Sequence, residues 1–239
     1  MAHRIYFPHL SRDSAGVITI AGEEAHHALR VKRLEPGDRV ELCDGRGLVA
    51  RVCLAESRKT REGWEADFEV ERVDAVEPVQ PRVLVASAVP KGERLEALID
   101  GLSQVGAAEW RPMKTKRSVV DPREGKLGRL ERVATEAMKQ CGRAWRLEIG
   151  SMVRFDEVLS AGVVIADASG GEYTPSGEDA VTILVGPEGG WEPDELEQAV
   201  RAGARPARFG PHTMRTELAA VVAVAQVLSA ERVLRGRAV

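Results

Sequence analysis

Asparagine is absent from the 239-residue chain, cysteine occurs only 3 times, and aromatic residues make up 4% of it. Cys43, Cys53 and Cys141 are odd in number and match no metal-ligand spacing. That excludes a disulfide framework and a zinc site, and sets the expectation of a reducing, cytoplasmic setting. No run of 18 or more apolar residues occurs, so no membrane-spanning helix is expected. The start, Met-Ala-His-Arg-Ile-Tyr-Phe-Pro, lacks the charged-then-apolar order of a secretory signal. The missing asparagine and the excess of arginine over lysine fit codon usage or heat adaptation and carry no functional information.

A general basic excess is lacking too. The formal net charge of −3 argues against a chain that binds nucleic acid all over its surface. Charge is nevertheless segregated. Arg111, Lys114, Lys116, Arg117, Arg123, Lys126, Arg129 and Arg132 face only Asp121, Glu124 and Glu131, whereas Glu172 to Glu197 contains no Lys or Arg. The basic stretch is either a positive face for phosphates or a solvated surface loop.

The length allows one large domain or two modest ones. Residues 1–76 read as short strands, Arg4–Phe7, Val17–Ile20, Arg39–Cys43, Leu48–Leu54 and Ala66–Val73, with a brief helix from Glu23 to Leu34. Five strands at this spacing predict a small antiparallel β-barrel. Glu77-Pro78-Val79-Gln80-Pro81 has two prolines in five residues and reads as a linker. Residues 82–239 then alternate apolar runs (Val83–Ala86, Val163–Ala166, Val181–Val185) with helical spacings (Leu95 to Val105, Leu130 to Cys141, Pro193 to Val200), which predicts an α/β domain with a parallel sheet. Gly142 and Gly203 stand where helices should stop. The last helix, Glu217 to about Leu234, has one polar residue, Gln226, between Leu218 and Leu228. A helix apolar on nearly every face is covered on all sides, either by a second copy of the chain or by its own core.

Two loops carry most of the functional information: Gly186-Pro187-Glu188-Gly189-Gly190 and Phe209-Gly210-Pro211-His212-Thr213-Met214-Arg215-Thr216-Glu217. Each follows a short apolar run and leads into a helical pattern, so both should project from carboxyl ends of neighbouring strands, where open α/β sheets bind ligands. Neither fits a phosphate-cradling loop or a dinucleotide fingerprint.

These loops, with Lys91-Gly92-Glu93-Arg94, Gln140-Cys141-Gly142-Arg143 and His26-His27-Ala28-Leu29-Arg30, resemble the SPOUT-class RNA methyltransferases, in particular the small-subunit (16S) ribosomal RNA uracil-N3 methyltransferases. The resemblance runs from Arg4-Ile5-Tyr6-Phe7 to the last helix. It implies a PUA-like N-terminal barrel joined to an α/β domain whose C-terminal part forms a trefoil knot. It further implies S-adenosylmethionine as cofactor, a role in ribosomal RNA maturation, and action on one uridine, presented within the 30S subunit. It also places the cofactor at a dimer interface, which agrees with a homodimer through the apolar C-terminal helix; no metal is expected. A non-catalytic RNA-docking factor with a relic pocket is the alternative. Three positions depart from the family pattern: His212 stands for an arginine, Leu218 for a threonine, and Lys139 where an acidic residue is common.

The expected cofactor contacts are Ile165, Asp167, Ala168, Leu184, Gly186, Pro187, Glu188, Gly189, Phe209, Gly210, Met214, Arg215 and Thr216. Glycines let the backbone approach, Leu184, Phe209 and Met214 supply apolar walls, and the absence of cations from 172 to 197 suits a sulfonium. Thr216 is also a candidate helix N-cap. Uracil N3 carries a proton whose loss leaves an anion, so a proton acceptor and a cation are wanted. Glu217 is the candidate acceptor, and Arg215 and Arg143 are candidate cations. Arg4, Arg12, Arg30, Lys32, Arg33, Lys116 and Arg117 are candidate RNA-backbone contacts, as expected for shape-and-phosphate recognition of folded RNA.

Overall fold

A computed structural model describes residues 3–118 and 127–236 of the chain. It divides into two units, residues 1–78 together with 138–146, and residues 79–137 together with 147–239. Arg123 and Lys126 of the basic stretch, with Asp121 and Glu124, lie outside the described residues.

In the first unit, β1 (Arg4–Tyr6), β2 (Val17–Ala21), β3 (Arg39–Cys43), β4 (Leu48–Lys59) and β5 (Trp64–Ala75) form one sheet in the order β1-β3-β4-β5-β2. Alternation decides which side chains turn inward: Val40 and Leu42 of β3 join Ile5, Ile20, Val52, Leu54 and Phe68 in the core. The expected barrel is present as a curled half-barrel, and its pairing is not antiparallel throughout. β1 pairs with β3 in parallel, and β1 and β2 remain as edges, so the sheet curls without closing. Residues 7–38 provide the long crossover that a parallel pair requires, and a three-residue strand offers little ladder with which to close a barrel. β4 and β5 run further than their apolar patterns suggest, because register shifts at Arg51/Val52 and Leu54/Glu56 let the ribbon continue past the core. The expected helix is α1 (Gly22–His26) followed by a π-helical turn, His27–Val31, and it ends at Arg33 with φ of 58°. Cys43 is buried, and burial pushes its thiol up to about 12, so it is no nucleophile.

The second unit is built on parallel strands: β6 (Arg82–Ser87), β7 (Glu109–Lys114), β8 (Glu148–Ile149), β9 (Val153–Arg154), β10 (Val164–Glu172), β11 (Ala180–Val185) and β12 (Arg205–Arg208). Their order is β12-β10-β11-β6-β7-β8, with β9 also on β7. The helices are α2 (Arg94–Val105), α3 (Leu127–Cys141), α4 (Pro193–Arg201) and α5 (Thr216–Gly236). Leu98, Ile99 and Leu102 of α2 pack with Val83, Val85, Trp110, Ile183 and Val224 in the main core. β7 escapes the sequence reading because Pro112 interrupts it and Arg111 and Lys114 alternate with buried Trp110 and Met113.

Helix α5 buries Ala220, Ala223, Val224 and Val227 within its own unit. Gln226, its odd polar residue, donates to the Phe209 carbonyl at 2.9 Å. The opposite stripe stays open, with Leu218 and Val233 each 52% exposed. Leu228 is partly buried against the main core, near Gly106.

Candidate cofactor pocket

The carboxyl ends of β10, β11 and β12 meet the start of α5 around a cavity of about 400 Å³. That volume suits a small organic cofactor. The sequence explains the geometry step by step. β11 is a continuous apolar strand that ends at Val185, and Gly186–Gly190 then turns back with a 2.9 Å hydrogen bond from Gly190 N to Pro187 O. Gly190 has φ of +71°, a conformation that favours glycine. At Gly186 the backbone passes so close to the Trp191 indole that a Cβ would lie 3.0 Å from it. Trp191 is fixed by donating from Nε1 to the Ala166 carbonyl at 2.9 Å and by packing on Phe155, ring centroids 5.2 Å apart.

The second loop is braced comparably. Phe209 is 5% exposed, stacks on Tyr173 at 6.1 Å, and has its carbonyl held by Gln226. Tyr173 Oη donates to Glu231 Oε1 at 2.6 Å. Glu231 lies wholly buried in α5 and also accepts from Ser176 N and Oγ and from Gly177 N. Burial pushes its carboxyl up, but these donors outweigh that and hold it below the usual glutamate range. The Tyr173 hydroxyl is raised by burial and by the neighbouring carboxylate. Thr216 is 3% exposed and donates from Oγ1 to Gly186 O at 3.1 Å, which ties the two loops together. It is therefore not the N-cap. Arg215 precedes the helix, and its carbonyl accepts from Ala219 N at 2.8 Å.

Of the expected cofactor contacts, Asp167, Ala168, Gly186, Pro187, Glu188, Phe209, Gly210, Met214 and Thr216 line the cavity. Ile165 and Leu184 do not line it; they are fully buried in an adjoining core cluster, behind the wall. Gly189 faces Arg117 rather than the cavity, its virtual Cβ 3.4 Å from Arg117 Cδ. Arg215 is exposed and off the lining. Trp191 and Ala219, which the sequence reading did not select, line it too. A tryptophan directly after Gly186–Gly190 was the available signal.

Glu217 follows Thr216 on α5 but does not itself line the cavity, and its side chain is 16% exposed. Arg143 belongs to the first unit, where its carbonyl accepts from Arg4 Nη1 at 2.8 Å and burial lowers its guanidinium from the ordinary arginine value.

The basic candidates divide into two kinds. Arg4 is half-buried and paired with Glu41 at 2.8 Å. Lys116 pairs with Asp194, and its backbone N donates to Glu195 Oε1 at 2.9 Å. Arg117 pairs with Glu192 at 2.8 Å and donates to Gly189 O at 2.5 Å. Arg12, Arg30, Lys32 and Arg33 are exposed, with Arg30 lying 5.4 Å above the Trp64 ring. Lys139 pairs with Glu24 at 2.7 Å. Among the described residues, no group of His, Cys, Asp and Glu could hold a metal ion, and no helix is long and apolar enough to cross a membrane.

Comparison with known proteins adds an independent finding. Residues 77–228 match the RNA methyltransferase domain family, and residues 20–61 match the RNA methyltransferase PUA domain family. The chain is 32% identical to the ribosomal RNA small subunit methyltransferase E of Mycobacterium bovis, over 95% of this chain and 92% of that one. It is 28% identical to the protein of that name from Bacillus subtilis, over 97% and 98%. Among solved structures, the Neisseria gonorrhoeae ribosomal RNA small subunit methyltransferase E bound to S-adenosyl methionine has the same fold, with a TM-score of 0.81 at 23% identity, covering 94% of this chain and 96% of that one.

Proposed function

The chain belongs to the RNA methyltransferase family, and from that premise we propose that it transfers a methyl group from S-adenosylmethionine to N3 of one uridine in small-subunit ribosomal RNA. The observation that carries the reading is the braced cavity between Gly186–Gly190 and Phe209–Thr216. Its residues fit the donor. Phe209, Met214 and Trp191 offer apolar walls, and Gly186 and Gly210 leave room for close backbone approach. Asp167 and Glu188 bring carboxylates to a ligand that carries a sulfonium and an amine.

When bound, S-adenosylmethionine supplies an electrophilic methyl group on a cationic sulfur that departs as a neutral thioether. The residues of this chain do the rest. Pro187, Phe209 and Met214 hold and orient the donor, and Glu217 accepts the uracil N3 proton as the N3–carbon bond forms and the carbon–sulfur bond breaks. Arg215 counters the charge spread over O2 and O4. The target base must leave its stack to be reached. Arg12, Arg30, Lys32 and Arg33 contact the RNA backbone, while Arg4, Lys116 and Arg117 would do so only by leaving their present partners.

The same reading includes a trefoil knot at the C-terminal loops, a homodimer and a cytoplasmic setting with the 30S subunit as substrate. The open stripe of α5, Leu218, Ala225 and Val233, supports the dimer.

The test is direct. Small-subunit RNA from cells lacking the protein is incubated with purified protein and donor, digested, and read by mass spectrometry. N3-methyluridine should appear at one position; a methyl group on another atom, or none, sinks the reading. A non-catalytic docking factor would in addition show no saturable heat with the donor in calorimetry.

A further inference from the structure

The Lys91–Arg94 segment belongs to the family resemblance yet has no part in the cavity lining. It connects β6 to α2, and Arg94 opens that helix. The guanidinium lies between carboxylates from both signature loops. Nη1 is 3.5 Å from Glu188 Oε1, and Nε is 4.0 Å from Glu217 Oε1. The second oxygen of Glu217, Oε2, is buried and accepts no hydrogen bond. A buried carboxylate oxygen without a donor is uncommon and calls for an explanation such as a ligand's proton.

At these separations Arg94 acts through charge rather than through a bidentate hydrogen bond, so it restrains Glu217 without occupying its lone pairs. Arg94 thus supplies a counter-charge to both Glu188 and Glu217. Arg94 is itself 44% exposed, so truncating it removes little packing, and such partly solvated ion pairs add little to stability. Orientation of the acceptor, rather than folding, is what the contact controls.

We propose that Arg94 is a positioning residue for methyl transfer: it tethers one oxygen of Glu217 and leaves the other dehydrated and free to receive the substrate proton. The proposal rests on the reading of Glu217 as the acceptor. It also gives the Lys91–Arg94 segment its place beside the two loops, since Arg94 is the group that touches both.

The experiment compares the wild type with Arg94→Lys, Arg94→Ala, Glu217→Gln and the Arg94→Ala/Glu217→Gln pair. Methyl transfer to undermethylated small subunits gives kcat and KM, and calorimetry gives the donor Kd. Arg94→Ala should lower kcat about tenfold or more, within the ~10²–10⁴ that a general base supplies. Donor Kd should move less than about threefold, and Arg94→Lys should recover most of the loss. The double variant should be no slower than Glu217→Gln alone, because a tether without its acceptor has nothing left to position. Unchanged kcat in Arg94→Ala, or losses that multiply in the double variant, would overturn the proposal. Full activity of Glu217→Gln would instead remove the acceptor reading itself. If Arg94→Ala fails to fold, Arg94→Lys alone and paired with Glu217→Gln provides the same comparison.

Discussion

The cofactor end of the second unit and the exposed basic face of the first solve opposite problems. Around Gly186–Thr216 the side chains that matter are mostly buried and hydrogen-bonded: Thr216 to Gly186, Trp191 to Ala166, Gln226 to Phe209. Around Arg30–Arg33 they are long, charged and solvated. The first arrangement selects by shape, since a packed wall cannot yield without breaking its hydrogen bonds. The second attracts by charge and tolerates many phosphate geometries. The basic stretch that continues β7 warns against counting charge along a sequence. Lys116 and Arg117 look equivalent to Arg30 and Lys32, yet their partners are Asp194, Glu192 and the Gly189 carbonyl.

The contrast breaks most sharply at Gly186. Gly186→Val should weaken donor binding by about a hundredfold or more, because its branched side chain must displace the Trp191 indole, which lines the cavity. RNA affinity should barely change. Gly189→Val, three residues on in the same turn, meets only the flexible Arg117 side chain and should weaken donor binding far less. Calorimetry with the donor checks both, and equal losses would mean that the turn tolerates nothing, whatever the direction of the side chain.

The first unit gives the converse. Arg30→Glu should reduce RNA affinity about tenfold and lower the slope of log affinity against log salt by about one, with donor binding untouched. Lys116→Glu is the control that sharpens this result. Its ammonium is already paired with Asp194, so its removal should flatten the slope less. A slope lost equally in both variants would erase the distinction between offered and engaged charge. Filter binding across a salt series measures it.

The degree to which each region is legible in sequence follows from the same physics. Continuous apolar strands such as Val181–Val185 and glycine-bearing turns leave local signatures, so the parallel sheet and nine of the lining residues can be read from the chain. β7 cannot, because Pro112 and alternating charge mask a strand whose stability comes from its neighbours. Ile165 and Leu184 stand off the cavity lining for a related reason. They are apolar residues of the right strands, but alternation turns them to the core, while Ala166 and Val185 next to them face the cavity. The half-barrel differs from the expected barrel in the parallel pairing of β1 and in whether β1 and β2 meet, and no local pattern encodes either. Arg94 was visible as part of a motif, but its two partners lie far along the chain.

The smallest expected effect tests whether the cofactor end depends on protonation while the basic face does not. Glu231 holds Tyr173 against Phe209, and its carboxyl is kept below the usual range by the donors around it. A carboxyl lowered in the folded state contributes stability that is present above its unfolded value and lost as pH falls through the lower folded one. Wild-type protein should therefore lose stability in acid over that window. Glu231→Gln should lower stability at neutral pH by about 1.5–3 kcal/mol, the range for hydrogen bonds to a charged acceptor, and should flatten the acid limb. Arginines do not titrate there, and neither does alanine, so Arg30→Ala should leave the acid limb as it is. Chemical denaturation between pH 3 and pH 7 reads all three proteins; an acid limb unchanged in Glu231→Gln would place the acid sensitivity elsewhere than behind Phe209.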